Sequence, residues 1–580
     1  MSEELDLRAG ARLIAQQLRA QWVSLSSGLF AGLVWSSARI AIPILTGKTI
    51  DEAIGHGDKS LLLVLALGVT AAAAVQGLAS GVRRYFAMSN SFRVESNLRA
   101  DLYDQVNQLS LDYHDRTSTG QLMSRASADL HEIQQLIVVI PINSAFLLIA
   151  IGAFGVLLTI HVWLALLAMA GYPLITIMSS HFFRKLGPAS ARVQQDLADF
   201  AHGVEEHIAG VRTVRSFGRE EDEIQKIQKL ADRTFADSME AARLRTIYTP
   251  LFFWLPSISQ LVILSYGGWL VIQGHITAGE FVAFFQYLNM LVFPVQSLGE
   301  MVPMGQRAVT AGARVWNVLR QRPTIARSAH GKAMPAGGGD LLFKDVSFSY
   351  QRGYPILNDF SLHIPAGTSV ALVGPTGGGK TTVGKLLPRF YDVDCGRIVI
   401  DGVDVRDIRL DDLRRNVGLV FQETFLFSDT IRNNIAYGRV DSTQEEIEQA
   451  ASLAQAAEFI DELPDGYDTI VGDQGYSLSG GQRQRLAIAR AILIRPRVLI
   501  LDDATSSVDA RMEEDIRGAL QRVMEGRTTI IISHRMSTIA LADQVVLMDE
   551  GRVVQVGTHD ELLRTCPRYA EVLGQLVAAT

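Results

Sequence analysis

Three stretches of the chain hold side chains of the type and spacing that handle phosphate. In "SVALVGPTGGGKTT" (369–382) an apolar strand runs into a glycine-rich turn and the start of a helix, matching G-x-x-x-x-G-K-[ST] from Gly374 to Thr381. Gly374, Gly377, Gly378 and Gly379, with Pro375 and Thr376 between them, let the backbone wrap close to phosphate oxygens, and the helix start aims N–H groups at them. Lys380 neutralises charge there, Thr381 offers an oxygen to Mg²⁺, and Thr382 follows in the same turn. A loop of this kind leaves kinase, GTPase and motor ATPase open. "YSLSGGQRQRLAIARAIL" (476–493) narrows the choice: Ser479, Gly480, Gly481 and Gln482 open a second helix that presents a hydroxyl and backbone N–H groups to an anion. In "LILDDATSSVD" (499–509) two carboxylates, Asp502 and Asp503, sit side by side at the end of an apolar run.

The elements that must hold these residues fall in the second half of the chain, where the pattern from 341 onward is soluble α/β. The first half is of another kind. With 580 residues, 48% of them hydrophobic, and a positive mean hydropathy, the chain exceeds one compact core and is more apolar than an ordinary soluble enzyme. Six stretches approach or exceed the roughly 20 residues that cross a bilayer; they lie at about 21–45, 60–86, 136–160, 162–183, 246–274 and 277–304. The first is long for a signal-peptide core and lacks a small-residue cleavage site, so the spans themselves bring the chain into the membrane. The net charge of −7 argues against a nucleic-acid partner, and the two cysteines, Cys395 and Cys566, suggest neither a disulfide framework nor a metal site.

Short loops join the spans in pairs, while 87–135 and 184–245 are long, polar and helical in periodicity. Arg83, Arg84, Arg93, Arg99, Arg184, Lys185, Arg212 and Arg215 lie on the side of the long connections, which makes that side cytosolic and, with an even number of spans, puts both termini there. A helical hairpin with about 25 residues per arm reaches nearly 40 Å beyond the bilayer. The expected division is a membrane domain over 1–318, a link over 319–340 whose "HGKAMPAGGGD" reads as a flexible joint, and a nucleotide-binding domain over 341–580.

Together these stretches resemble an ATP-binding cassette (ABC) transporter half, six spans followed by a nucleotide-binding domain. The resemblance covers nearly the whole chain. It implies a multidomain fold, an all-α six-helix transmembrane domain followed by an α/β P-loop domain, with ATP and Mg²⁺ as cofactors. It assigns Tyr350 in "FSY" to adenine, Gln422 in "VFQETFLF" to Mg²⁺ and the attacking water, Asp502 to Mg²⁺ beside Thr381, His534 in "IISHRMST" to the γ-phosphate, and Asp509 to contact across a dimer. Catalysis would rest on Asp503, Gln422 and His534. Each ATP would lie between one chain's phosphate loop and the other's Ser479–Gln482, so a second half-transporter is implied, in a cell inner (plasma) membrane. "DYHDRTSTGQLMSRASADL" (112–130) and "GVRTVRSFGREEDEI" (210–224) resemble the cytosolic coupling segments of exporters.

The residue after the metal aspartate is normally glutamate in this family, and here it is Asp503. One methylene less withdraws the carboxylate by roughly 1.5 Å, and a misplacement near 1 Å costs about 100-fold. ATP should bind well and be cleaved slowly, as in the degenerate site of heterodimeric exporters; Asp473 in "TIVGDQG" is a second departure from glutamate. A homodimer with two slow sites, an importer or channel on the same fold, and a soluble cassette ATPase are the alternatives, the last opposed by the spans. The substrate would be an amphipathic or hydrophobic drug, lipid or peptide. Trp35, "LFFWLP" (251–256), Phe281, Phe284, Phe285, Tyr287 and Phe293 would suit such a substrate, although aromatics in spans more often serve packing or lipid contact; Arg39 lies within a span, and Glu300 stands either near a cavity mouth or on a solvated helix extension.

Overall fold

The computed structural model describes residues 6–325, 331–351, 353–503 and 510–579, with no side-chain description at 171–176, 179–180, 183, 252–253, 255–256, 292–300, 302, 473, 510–516 and 575–579. The chain divides into two units, residues 1–107 with 120–321, and residues 108–119 with 322–580.

The first unit is helical. Asp6 caps Leu7–Ala20 by accepting from the Ala9 N–H at 3.1 Å, and this helix buries Ala9, Gly10, Leu13 and Ile14. Gly10 lets the backbones meet: a Cβ there would sit 2.3 Å from the Val309 carbonyl on the helix Ala278–Leu319. Among the described residues, Trp22–Ile54, Lys59–Gln108 and Thr119–Ile160 are long and apolar enough to cross a membrane, and Ser257–Ile272 is a shorter apolar segment. The other expected spans fall on Val162–Met169, Gly171–Ala209, Glu220–Ile272 and Ala278–Leu319, where parts lie outside the described side chains. Phe293 and Glu300 are among those parts.

Packing details of the membrane half go beyond what hydropathy gives. Arg83, which served only to mark the side of the long connections, is 2% exposed, its guanidinium 4.0 Å from the Trp35 ring centre and 5.7 Å from that of Phe146. The Trp35 ring also faces Arg39, at 5.3 Å. A charge next to an apolar stretch reads as a flank, but here aromatic faces from two other helices cover it. Of the two roles open to the span-six aromatics, packing or a substrate face, Phe284 and Tyr287 take packing: they are fully buried with Leu164 and Ile263, and the Tyr287 hydroxyl donates to the Ile40 carbonyl.

The second unit is built on two sheets. One is antiparallel, of β1 (Leu341–Phe348), β2 (Leu357–Ile364), β4 (Cys395–Ile400) and β5 (Val403–Asp404). The other comprises β3 (Ser369–Val373), β6 (Val417–Val420), β7 (Val498–Asp502), β8 (Thr528–Ile532), β9 (Gln544–Asp549) and β10 (Arg552–Gly557), in the order β10-β9-β3-β8-β7-β6, with β3, β6, β7, β8 and β9 parallel. The continuous apolar runs of β3, β7 and β8 follow from burial on both faces: Ala371 and Val373 enter one core while Val370 and Leu372 enter another.

The glycine-rich link is no loose joint where it is described. Lys332 N–H donates to the Asp407 carbonyl at 2.7 Å, its own carbonyl accepts from Arg409 N–H at 2.8 Å, and Gly339 N–H donates to Asp401 Oδ1 at 2.9 Å. A Cβ on Gly337 would lie 2.2 Å from the Asp401 carboxyl carbon, so glycine serves close approach there. The short helix Leu111–Arg116 is part of this unit as well: Ser110 Oγ accepts from Ile325 N–H at 3.0 Å, Asp112 accepts from the Thr324 hydroxyl at 3.2 Å, and Leu111 packs on the core.

Candidate functional site

Adjacent parallel strands β3, β8, β7 and β6 end on one edge of their sheet, and each releases its chain into the same cleft of about 420 Å³. From the loop after β3 come Thr376 to Gly379 and then Lys380, Thr381 and Thr382 at the start of the helix Lys380–Leu386; β6 leads to Gln422, β7 to Asp502 and Asp503, and β8 to Ile532 and His534. Tyr350, just past β1, closes one side. Crevices at the carboxyl ends of parallel strands are where open α/β sheets bind ligands.

The loop geometry requires its glycines. Gly377 and Gly379 take φ of 83° and 89°, in the left-handed region. A Cβ on Gly374 would stand 2.1 Å from the Met548 carbonyl. Gly374 and Pro375 do not line the cleft; their carbonyls each accept from Lys380 Nζ at 2.8 Å. Burial holds the Lys380 ammonium below its ordinary pKa, against the opposing pull of Asp502 and Asp503. Burial likewise raises Asp502, helped by the Asp503 charge and opposed by the Thr381 hydroxyl, which donates to Asp502 Oδ1 at 3.4 Å.

Asp503 differs from its neighbour. Its φ is 48°, its N–H donates to the Ile532 carbonyl at 2.6 Å, and the residue is 8% exposed. Gln422 Nε2 donates to Oδ2 at 3.4 Å, while Oδ1 is buried with no hydrogen-bond partner among the described residues. An acceptor left open beside Lys380, Thr381 and Asp502 fits a site that takes a polar ligand. Among the described residues no cluster of three His, Cys, Asp or Glu is placed for a metal. The Thr381 hydroxyl, Asp502 carboxylate and Gln422 amide are instead the hard oxygen donors suited to Mg²⁺ that keeps part of its water.

Ser479, Gly480, Gly481 and Gln482 do not line this cleft. Ser479 caps the helix Gly480–Ile494, its Oγ accepting from Gln482 N–H at 3.2 Å while Gln482 Oε1 accepts from Ser479 N–H at 2.8 Å. Asp509 lies outside the described residues, as does the side chain of Asp473. Sequence reasoning passed over Ile356 and Ile532, which line the cleft, and Tyr391 behind it. The Tyr391 ring meets Tyr350 edge-on at 5.1 Å, and its hydroxyl donates to Asp115 of the short helix Leu111–Arg116. Burial and the Asp115 carboxylate push the Tyr391 phenol above its ordinary range. The aromatic run around "FYD" was the one signal available.

Residues 25–295 match the family "ABC transporter transmembrane region" and residues 357–506 match "ABC transporter". An ABC transporter ATP-binding protein of Bacillus subtilis is 37% identical over 553 residues, covering 94% of this chain and 93% of its own. The chain belongs to the ABC transporters. Another relative is an ATP-dependent lipid A-core flippase of Syntrophus aciditrophicus, 36% identical over 550 residues, 93% of this chain and 89% of the relative. A multidrug efflux ATP-binding/permease protein of Mycobacterium tuberculosis is 39% identical over 546 residues, 94% of this chain but 46% of the relative, so the ABC chain spans about half that protein's length. The helical unit followed by the sheet-containing unit is the architecture that the sequence implied, and the cassette match implies ATP as ligand.

Proposed function

We propose that this chain is one half of an ATP-driven exporter for an amphipathic or hydrophobic substrate, a drug, lipid or peptide, set in the inner membrane with both termini in the cytosol. The division at 1–318, 319–340 and 341–580 belongs to this reading. The names of the efflux and flippase relatives support it. The observation that carries it is the separation of the two anion-ready helix starts: Lys380–Leu386 opens into the cleft, while Gly480–Ile494 opens away from that cleft's lining. A second half-transporter would bring its own Ser479-like turn to this cleft and receive ATP on this chain's Ser479–Gln482.

In the cleft Lys380 and the loop N–H groups hold the phosphates, Tyr350 supplies a face for the base, and His534 meets the terminal phosphate. Thr381, Asp502 and Gln422 would hold Mg²⁺, which would supply neutralisation of phosphate charge. Asp503 would have to accept a hydrogen bond from the attacking water. Its shorter arm and the Gln422 contact hold its carboxylate back, so hydrolysis here is slow and ATP acts to keep two cassettes together. We therefore place the degenerate site of a heterodimer on this chain; a homodimer with two slow sites is the alternative.

Vesicle transport tests the whole reading: ATP should drive substrate away from the cassette side in wild type and not in Lys380→Ala. Movement toward that side would make the chain an importer, and unchanged transport in the variant would remove the phosphate-loop assignment. Purification tests the pairing. The chain should co-purify with a different half-transporter; a homodimer with full turnover would overturn the degenerate-site proposal.

A further inference from the structure

Between the helices Trp22–Lys48 and Lys59–Gln108 two hollows run end to end, sharing Ser27 and Phe86. The upper, of about 830 Å³, is walled by apolar side chains, among them Phe30, Val75, Leu78 and Val82. The lower, of about 430 Å³, is lined by Gln21, Ser24, Ser89 and Arg93, with Trp22 and Tyr85 at its sides. Polarity therefore changes once, at Phe86.

The dimensions match one leaflet. Val75 to Phe86 along a continuous helix is about 16 Å, close to half of the roughly 30 Å hydrocarbon core. Phe86 to Arg93 adds about 10 Å, enough with a flexible side chain to cross a headgroup layer of roughly 5–8 Å. Trp22 and Tyr85, each 67% exposed, stand where interfacial aromatics are placed. Arg93 has no acidic partner among the described residues, whereas Arg99, further along the same helix, is paired with Glu95 at 2.6 Å. An apolar wall alone would suit any acyl chain. An unpaired guanidinium at headgroup depth selects charge.

We propose that this groove is a binding site for one phospholipid with an anionic headgroup, its phosphate at Arg93, Ser89 and Ser24 and its acyl chains along Val75–Phe86, in the leaflet at the Trp22 end of the first span. The site rests on the membrane-spanning reading of these helices and not on the direction or identity of transport.

The test counts lipid bound to the full chain, purified with its partner, delipidated in detergent and given phosphatidylglycerol or phosphatidylcholine, by native mass spectrometry. Wild type should retain one phosphatidylglycerol in preference to phosphatidylcholine. Arg93→Gln should lose that preference, with retention of phosphatidylglycerol falling about fivefold, and Arg93→Lys should keep most of it. Leu78→Trp, at a position 74% exposed, should fill the apolar end and lower both lipids. Equal retention of both lipids across all four proteins would overturn the site, as would efficient cross-linking of Leu78→Cys to the second half, since a protein helix would then occupy the groove. ATP-driven transport by wild type, measured alongside, tells failure of the lipid site from failure of the transporter reading.

Discussion

The nucleotide cleft and the membrane unit are held together in opposite ways. In the cleft, strands β3, β6, β7 and β8 set their last residues side by side, so residues far apart in sequence arrive through one sheet edge. Among the described residues of the helical unit, position is fixed by contacts such as Gly10 on Val309 and Arg83 on Trp35. Damage to the first should therefore show as lost chemistry, and damage to the second as lost packing with the chemistry intact.

The largest effect is expected at Lys380. Replacing it with alanine removes the cation between two carbonyls and two carboxylates, and ATP-dependent transport should fall at least about 100-fold. A near-normal rate in vesicles would dissolve the contrast, since the cleft would then not be the engine. Asp503 sharpens it: Asp503→Glu should raise steady-state ATP turnover at this site by about 10- to 100-fold, while Asp503→Asn changes turnover of the purified pair less than twofold. Equal and severe loss from Asp503→Asn would mean that this carboxylate already works at full strength.

On the membrane side, Gly10→Ala drives a Cβ into the Val309 carbonyl and should cost about 1–3 kcal/mol, seen as a lower melting temperature of the solubilised protein. Its nucleotide affinity should not change; a shift would mean that damage to the helical packing reaches the cleft. The smallest effect is expected from Tyr391→Phe, which keeps the ring against Tyr350 and deletes the hydroxyl bonded to Asp115. About 1 kcal/mol is at stake, enough to speed amide hydrogen exchange in Leu111–Arg116 severalfold. Unchanged exchange would show that Leu111 and Ser110 hold this segment unaided.

The same contrast explains what was legible in the residues. The phosphate loop, the Asp502 strand and the Ser479 turn are local patterns in which a few adjacent residues already make the geometry, and the parallel sheet then assembles them. The helix class of the first half follows from long apolar runs. The burial of Arg83 was not legible, because its cover comes from Trp35 and Phe146 on helices that hydropathy cannot orient. Nor was the fastening of 337–339, since composition shows three glycines and not the Asp401 carboxylate they close around. Tyr391 belongs to no pattern read from the chain, and its meaning arises from a residue in the other half of the sequence.

The reciprocal bonds between Ser479 and Gln482 bear on speed. With the cap already formed in the isolated chain, the first turn of that helix needs no ligand to complete it. Ser479 Oγ accepts from Gln482 N–H, which leaves its own proton as the group to be offered outward. If two cassettes pair as proposed, this helix start would enter the encounter already formed. Its rate would then be set by how often the two faces collide in register, and it should vary with temperature as diffusion does, much less steeply than a step that first has to order a loop.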